Sequence, residues 1–115
     1  MMKPSRGSER FQLVMTTAGS EEQARAIAQA LVERRLAACV TIITQACSVY
    51  RWEGSVQEEH EKLLLIKSSE RLFPLLRDAI RELHSYEVPE ILALSIQSGD
   101  EPYLDWLSSS LAPDG

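Results

Sequence analysis

The sequence predicts an α+β fold, an antiparallel sheet with helices on one face and a short helix at the C-terminus. Three observations carry this expectation. Apolar, β-leaning runs and helical stripes succeed one another in the order strand, helix, strand, strand, helix, strand. The second and third strands are much longer than the rest and meet across one turn. The chain has 115 residues, 44% of them hydrophobic and 25% charged. That is enough to bury one core without metal or disulfide staples.

Phe11 to Thr17 is short, apolar and β-leaning and stops just before Gly19, so it reads as a strand. Ser20-Glu21-Glu22-Gln23 fits a capping box. In that motif the Ser20 hydroxyl accepts from the Gln23 amide and the Gln23 side chain reaches back. Two acids in the first turn suit the positive pole of a helix. Ala24, Ile27, Ala28 and Leu31 then form a helical stripe. Arg34 and Arg35 follow, and they read as partners of that helix's negative pole rather than as a basic binding patch.

Val40, Ile42, Ile43, Val49, Tyr50 and Trp52 mark a strand over 39–52, and Gly54 supplies a turn. Val56 to Lys67 is the answering strand, with Leu63 to Ile66 as its buried half. Leu72, Leu75, Leu76, Ala79, Ile80 and Leu83 have helical spacing, with Ser69 as a possible cap. Pro74 is free only in a first turn, so the regular helix begins as late as Leu72. Ile91 to Gln97 reads as the last strand. Gly99 and Asp100 make a turn, and Pro102 opens a helix carrying Tyr103, Leu104, Trp106, Leu107 and Leu111. The order β-α-β-β-α-β is two split βαβ units, the ferredoxin-like sandwich with a long hairpin between its second and third strands. The expected organisation is one domain over 11–111, a flexible lead-in over 1–10 and a flexible tail over 112–115.

One magnitude shapes the assembly. The run 39–52 would extend about 46 Å at about 3.3 Å per residue. A domain of this size has a radius of gyration of about 13 Å. The hairpin therefore bends at a bulge or projects beyond its own domain. A projecting ribbon rich in Val, Tyr and Trp needs a partner over its face and edge, which predicts a homo-oligomer.

Several classes are excluded. Lys and Arg number 12 against 17 Asp and Glu, a net charge of −5, which argues against nucleic acid as a partner. No apolar run approaches the roughly 18 residues of a membrane span. Met1 to Arg10 is polar and lacks the apolar stretch of a signal peptide, so the expected location is the cytoplasm. Cys39 and Cys47 in one strand would stand about 26 Å apart, far beyond disulfide reach, and are expected as free thiols.

Cys39, Cys47, His60 and His84 are the soft or borderline metal-ligand types, and none has a metal-motif spacing. Cys39, after Leu36-Ala37-Ala38, can pack as a small hydrophobe. His60 lies within Glu58-Glu59-His60-Glu61, a solvated strand face whose carboxylates hold divalent cations weakly. The loop from His84 to Glu90 is more informative, with an imidazole, a phenol, two carboxylates and a proline in seven residues. Tyr50 and Trp52 share a strand face, as do Glu59, Glu61 and Lys67 on the partner strand. These aromatics and charges could bind a small ligand or form a subunit contact, and the contact is the simpler reading. No phosphate-cradling glycine loop or nucleophile elbow is present. A general-base role for Glu61 or His84 has no nucleophile or cofactor motif to work with, so no catalytic residue is assigned and no enzyme is expected.

Five ordered blocks then resemble one family. They are Leu36-Ala37-Ala38-Cys39-Val40, Tyr50-Arg51-Trp52-Glu53-Gly54, Ile66-Lys67-Ser68-Ser69, His84-Ser85-Tyr86-Glu87-Val88-Pro89-Glu90 and Tyr103-Leu104-Asp105-Trp106-Leu107. Together they resemble the CutA divalent-cation tolerance family, from about Phe11 to Leu111. The resemblance implies a ferredoxin-like fold, a homotrimer with interlocked hairpins and a cytoplasmic role in tolerance of copper and other divalent metal ions. It implies copper ligation by Cys39 and His84. It also places an inter-subunit pocket at Tyr50, Trp52, Glu59, Glu61, Lys67, Tyr86, Glu90, Tyr103 and Trp106. Ser85 stands where the family usually has proline, and Cys47 lies outside the pattern and inherits no role. The trimeric build also resembles the PII signalling proteins, which implies an alternative function, a regulator binding a small effector between subunits.

Overall fold

Alternation along the first strand decides which side of the sheet is covered. The computed structural model describes residues 9–113. The expectations for 1–8 and 114–115 lie outside the described residues. Strand β1 (Phe11–Ala18) is followed by helix α1 (Glu21–Glu33), strands β2 (Cys39–Trp52) and β3 (Ser55–Ser69), helix α2 (Phe73–Leu83), strand β4 (Leu92–Ser95) and helix α3 (Glu101–Ser110). The sheet order is β2-β3-β1-β4, antiparallel throughout. This is the ferredoxin-like arrangement.

Val14 and Ala18 of β1 and Leu64 and Ile66 of β3 point to the helices. There they meet Ala24, Ile27 and Leu31 of α1 and Leu76, Ala79 and Ile80 of α2. A second cluster, Phe11, Ala38, Leu72, Leu107 and Leu111, seats α3 at one end of the sheet. No described helix covers the opposite face. Leu13, Met15, Leu63 and Leu65 are only half-buried there, and Leu92 and Leu94, which pair with Met15 and Leu13, are 54% and 46% exposed.

Local chemistry fixes the element ends. Ser20 Oγ accepts from the Gln23 amide at 3.1 Å. The reciprocal half of the capping box is not formed, because Gln23 Oε1 accepts instead from Ser85 Oγ at 2.9 Å. The expected role of Arg35 also changes. Helix α1 ends at Glu33, and Arg35 turns into the left-handed region at φ 59°. Its guanidinium donates to the carbonyls of Ser109 at 2.8 Å and Ser110 at 3.3 Å, so it serves the negative pole of α3. A 3-10 turn over Glu70–Leu72 precedes α2, and Pro74 occupies the second position of that helix, where no backbone hydrogen bond is lost. Ser69 flanks that turn without capping it; its hydroxyl is bonded to Glu9 Oε2 at 2.9 Å. The last strand is shorter than its apolar run, since only Leu92–Ser95 pairs with β1.

The hairpin projects. Glu53 and Gly54 have φ of 49° and 83°, the paired positive values of a tight type I′ turn, and Trp52 faces Ser55 across it. The chain measures 57 × 25 × 22 Å with a radius of gyration of 15.3 Å, against about 13 Å for a spherical domain of this length. The ribbon also contains an irregularity. Ile43 pairs with Leu63 but Ala46 pairs with Glu61, so β2 spends one residue more than β3 between them.

Candidate functional site

The bulge decides which side chains meet. On β2 before it, Cys39, Thr41 and Ile43 share the open face, opposite Lys67, Leu65 and Leu63. The extra residue inverts the parity. Beyond it Ala46, Ser48, Tyr50 and Trp52 take that face, opposite Glu61, Glu59, Gln57 and Ser55. The aromatic residues and the two carboxylates therefore come to the same side of the ribbon.

The loop after α2 closes the site from above. His84 is buried, and its Nδ1 accepts from the Tyr86 amide at 3.0 Å. That bond leaves the ring proton on Nε2, which donates to the main-chain oxygen of Thr17 at 2.5 Å. The imidazole stacks at a tilt on Tyr86, with ring centroids 4.5 Å apart. Tyr86 is thus aimed over the end of β1. Its hydroxyl lies so close to Gly19 that a Cβ there would stand 3.0 Å from it.

The result is a cleft of about 830 Å³ lined by Thr17, Ser48, Val49, Tyr50, Trp52, Gln57, Glu59, Glu61, Tyr86, Val88 and Glu90. Its electrostatics are one-sided. Tyr50 titrates above an ordinary tyrosine, first because its hydroxyl is hydrogen-bonded to Glu59, then through burial and the charges of Glu59 and Glu61. Tyr86 is also raised, first by burial, then by the charges of Glu61 and Glu59 and a hydrogen bond to Glu61. Glu61 is only 7% exposed. Among the described residues no ion pair involves Glu59, Glu61 or Glu90. A buried carboxylate without a cation is costly, and Glu61 carries that cost in the cleft.

Six of the nine pocket residues read from the sequence are gathered here: Tyr50, Trp52, Glu59, Glu61, Tyr86 and Glu90. Three are not. Lys67 lies six residues along β3 from Glu61, about 20 Å away, and donates to Thr41 Oγ1 at 2.9 Å, with Cys39 Sγ 3.8 Å from its Nζ. Tyr103 and Trp106 pair with each other on α3, with centroids 5.5 Å apart and both rings half exposed. Cys39 and His84 are not brought together within one chain. Cys39 is level with Lys67 and Leu13 while Thr17, which holds His84, is level with Leu63. That separates them by about 13 Å along the strands alone. Both cysteines are free thiols, Cys39 half-buried and Cys47 exposed. Among the described residues no three His, Cys, Asp or Glu side chains converge as ligands of one ion. Thr17, Ser48, Val49, Gln57 and Val88 line the cleft without having been read from the sequence. For Ser48 a signal existed, since it shares the parity of Tyr50 and Trp52.

Residues 12–110 match the family described as CutA1 divalent ion tolerance protein. The chain belongs to the CutA1 family. It is 53% identical over 96 residues to the divalent-cation tolerance protein CutA of Thermus thermophilus, covering 84% of this chain and 93% of that protein. It is 46% identical over 91 residues to human protein CutA, covering 79% of this chain and 51% of that protein. This chain therefore spans about half the length of the human relative. The CutA1 crystal structure from Oryza sativa superposes with a TM-score of 0.89 at 38% identity, covering 91% of this chain and 96% of that one. The CutA1 structure from Thermus thermophilus gives 0.86 at 50% identity, covering 89% and 99%. The CutA1 family is named for tolerance of divalent cations, not for a catalysed reaction. Its members differ in compartment: the Arabidopsis thaliana protein is named chloroplastic and the Archaeoglobus fulgidus structure is described as periplasmic. In this CutA1 chain no described helix is long and apolar enough to cross a membrane.

Proposed function

We propose that this chain is a cytoplasmic, non-enzymatic homotrimer that binds divalent cations in the cleft of Tyr50, Glu59, Glu61, Tyr86 and Glu90. The observation that carries the reading is the set of carboxylates without a cationic partner, one of them almost fully buried. Carboxylate and phenol oxygens are the donors that hard and borderline divalent ions accept. Copper(II) heads the first-row affinity order, so it is the first ion to titrate. Cys39 and His84 are not carried forward as one copper site. Both His84 ring nitrogens already have partners, and the thiol stands elsewhere. The assembly reading is supported by the uncovered apolar sheet face and by a 57 Å chain in which no described strand pairs with the outer side of the long edge strand β2. The count of three follows the family resemblance.

A second reading, a small effector held between subunits, is favoured by the three aromatic rings of Tyr50, Trp52 and Tyr86 at the cleft. With three carboxylates and without Lys67, the effector would be cationic rather than anionic. Calorimetric titration of copper(II), zinc and manganese into wild-type protein, Glu61→Gln, Cys39→Ser and His84→Ala separates these readings. The metal reading expects Glu61→Gln to weaken binding by roughly tenfold or more and Cys39→Ser to retain it. Unchanged binding in Glu61→Gln overturns it. An organic cation that raises the melting temperature where metals do not would favour the effector. Light scattering at micromolar concentration must give three times the chain mass, and a monomer overturns the assembly.

A further inference from the structure

The bulge that turns Tyr50 toward the cleft turns a different set of side chains to the reverse of the ribbon. Register places Cys47 directly opposite His60, and Val49 opposite Glu58. Directly opposed residues of an antiparallel pair have Cβ atoms about 4.5–5.5 Å apart. Glu58 and His60 are two apart on β3 and share a face. The Cys47 thiol donates to Glu58 Oε1 at 3.2 Å. A thiol, an imidazole and a carboxylate thus stand together on an exposed face, on the opposite side of the strands from Glu59 and Glu61. No described side chain holds the His60 ring in a hydrogen bond or ion pair, in contrast with His84.

We propose that Cys47 and His60 form a two-donor site for a soft monovalent cation, copper(I), on the reverse face of the hairpin. Thiolate and imidazole are the donors that select copper(I) over harder ions. The number of donors points the same way. Structural zinc takes four protein ligands, whereas a filled-shell monovalent ion accepts two donors in line. Glu58 holds the thiol hydrogen without completing a higher-coordinate set, since among the described residues no three His, Cys, Asp or Glu side chains converge on one ion. Strand pairing holds the two donors across from one another before any ion arrives.

The exchange balances without a redox step. The Sγ–H bond breaks, Sγ and one imidazole nitrogen each donate a pair to the cation, and the proton leaves to solvent. The ion keeps its single positive charge, which the thiolate neutralises. The Glu58 carboxylate accepts the thiol hydrogen until the cation arrives. The cation displaces that proton, and His60 supplies the second donor. This site is independent of the proposed cleft. It uses none of the cleft residues, and either could fail without the other.

The test uses full-length Cys39→Ser protein, which has one thiol, and silver(I), an air-stable ion of the same charge and coordination preference. Silver is titrated against a competing ligand while the histidine ring nitrogens are followed by 15N NMR. One equivalent is expected to bind and to shift a His60 ring nitrogen while His84 stays put. Adding His60→Ala should weaken binding by roughly tenfold or more, and adding Cys47→Ser should remove the equivalent. Both side chains are exposed, so folded mass and circular dichroism should be unchanged. An unmoved His60 nitrogen, or equal affinity in His60→Ala, would mean a thiol acting alone and overturns the proposal.

Discussion

The imidazole of His84 donates from Nε2 to the main-chain oxygen of Thr17, joining the end of α2 to the end of β1 across 67 residues of sequence. Its other nitrogen accepts from the Tyr86 amide. The ring is therefore a bracket that aims Tyr86 at the cleft. His84→Ala should leave a buried carbonyl unpaired and lower stability by about 1–3 kcal/mol. Urea unfolding would measure this, and a midpoint equal to wild type would show that the bracket contributes nothing.

The two cleft phenols make an alkaline prediction. Tyr50 and Tyr86 both titrate above the unfolded value, Tyr50 chiefly through its hydrogen bond to Glu59 and Tyr86 chiefly through burial. A raised native pKa means that the folded state keeps protons the unfolded chain has released. The stability linked to them is complete below about pH 10 and is lost as pH climbs through the native values. Glu61 raises both groups, so Glu61→Gln should bring both titrations closer to pH 10. Ultraviolet titration of the phenolate band reads this directly, and superimposable curves would contradict it.

Deleting Gln45 removes the extra residue between Ile43 and Ala46. Regular pairing then keeps Ala46 opposite Glu61 and Tyr50 opposite Gln57, so Tyr50 and Trp52 stay on the face of Glu59 and Glu61 and only the local bend is lost. The folded core should survive, since Val14, Ile27, Leu64 and Ile80 lie in the sheet–helix layer rather than at the ribbon's tip. Cation binding at the cleft should therefore be retained, because the register that gathers its residues is unchanged. Loss of binding with the fold intact would mean that the bend at the bulge, and not the register alone, positions the site.

Leu94 is 46% exposed on the open sheet face, opposite Leu13. Leu94→Lys should cost the single chain little, because its side chain is already half in water. In an assembly that covers this face the lysine would be buried without a partner. Sedimentation should show monomers that keep their circular dichroism. A trimer of unchanged stability would place the interface elsewhere.

Much of the fold was legible because it rests on local patterns. The β-branched run from Cys39 to Trp52 marks both ends of β2, and Ser20 caps its helix through an oxygen three residues from its donor. Pro74 marks the first turn of α2 for the same kind of reason. Other features depend on what comes near in space. Gln23 completes a capping box by its spacing, yet its side chain bonds to Ser85, and Arg35 serves a helix that begins 66 residues later. The site was half legible. Tyr50, Trp52, Glu59, Glu61, Tyr86 and Glu90 could be named from a family resemblance, but so could Lys67, which sits with Cys39 instead.

The sequence by itself determined the order of elements, the overlong ribbon and the residue types that carry chemistry, since each depends on periodicity and composition over a few neighbours. Tertiary structure alone decided which faces those residues occupy. A one-residue bulge between Ile43 and Ala46 reverses every side chain of β2 beyond it, and no local signal in that segment announces it. It put carboxylates and phenols on one side of the ribbon and a thiol opposite an imidazole on the other. Strand register is a property of two segments together, so neither segment's sequence contains it alone.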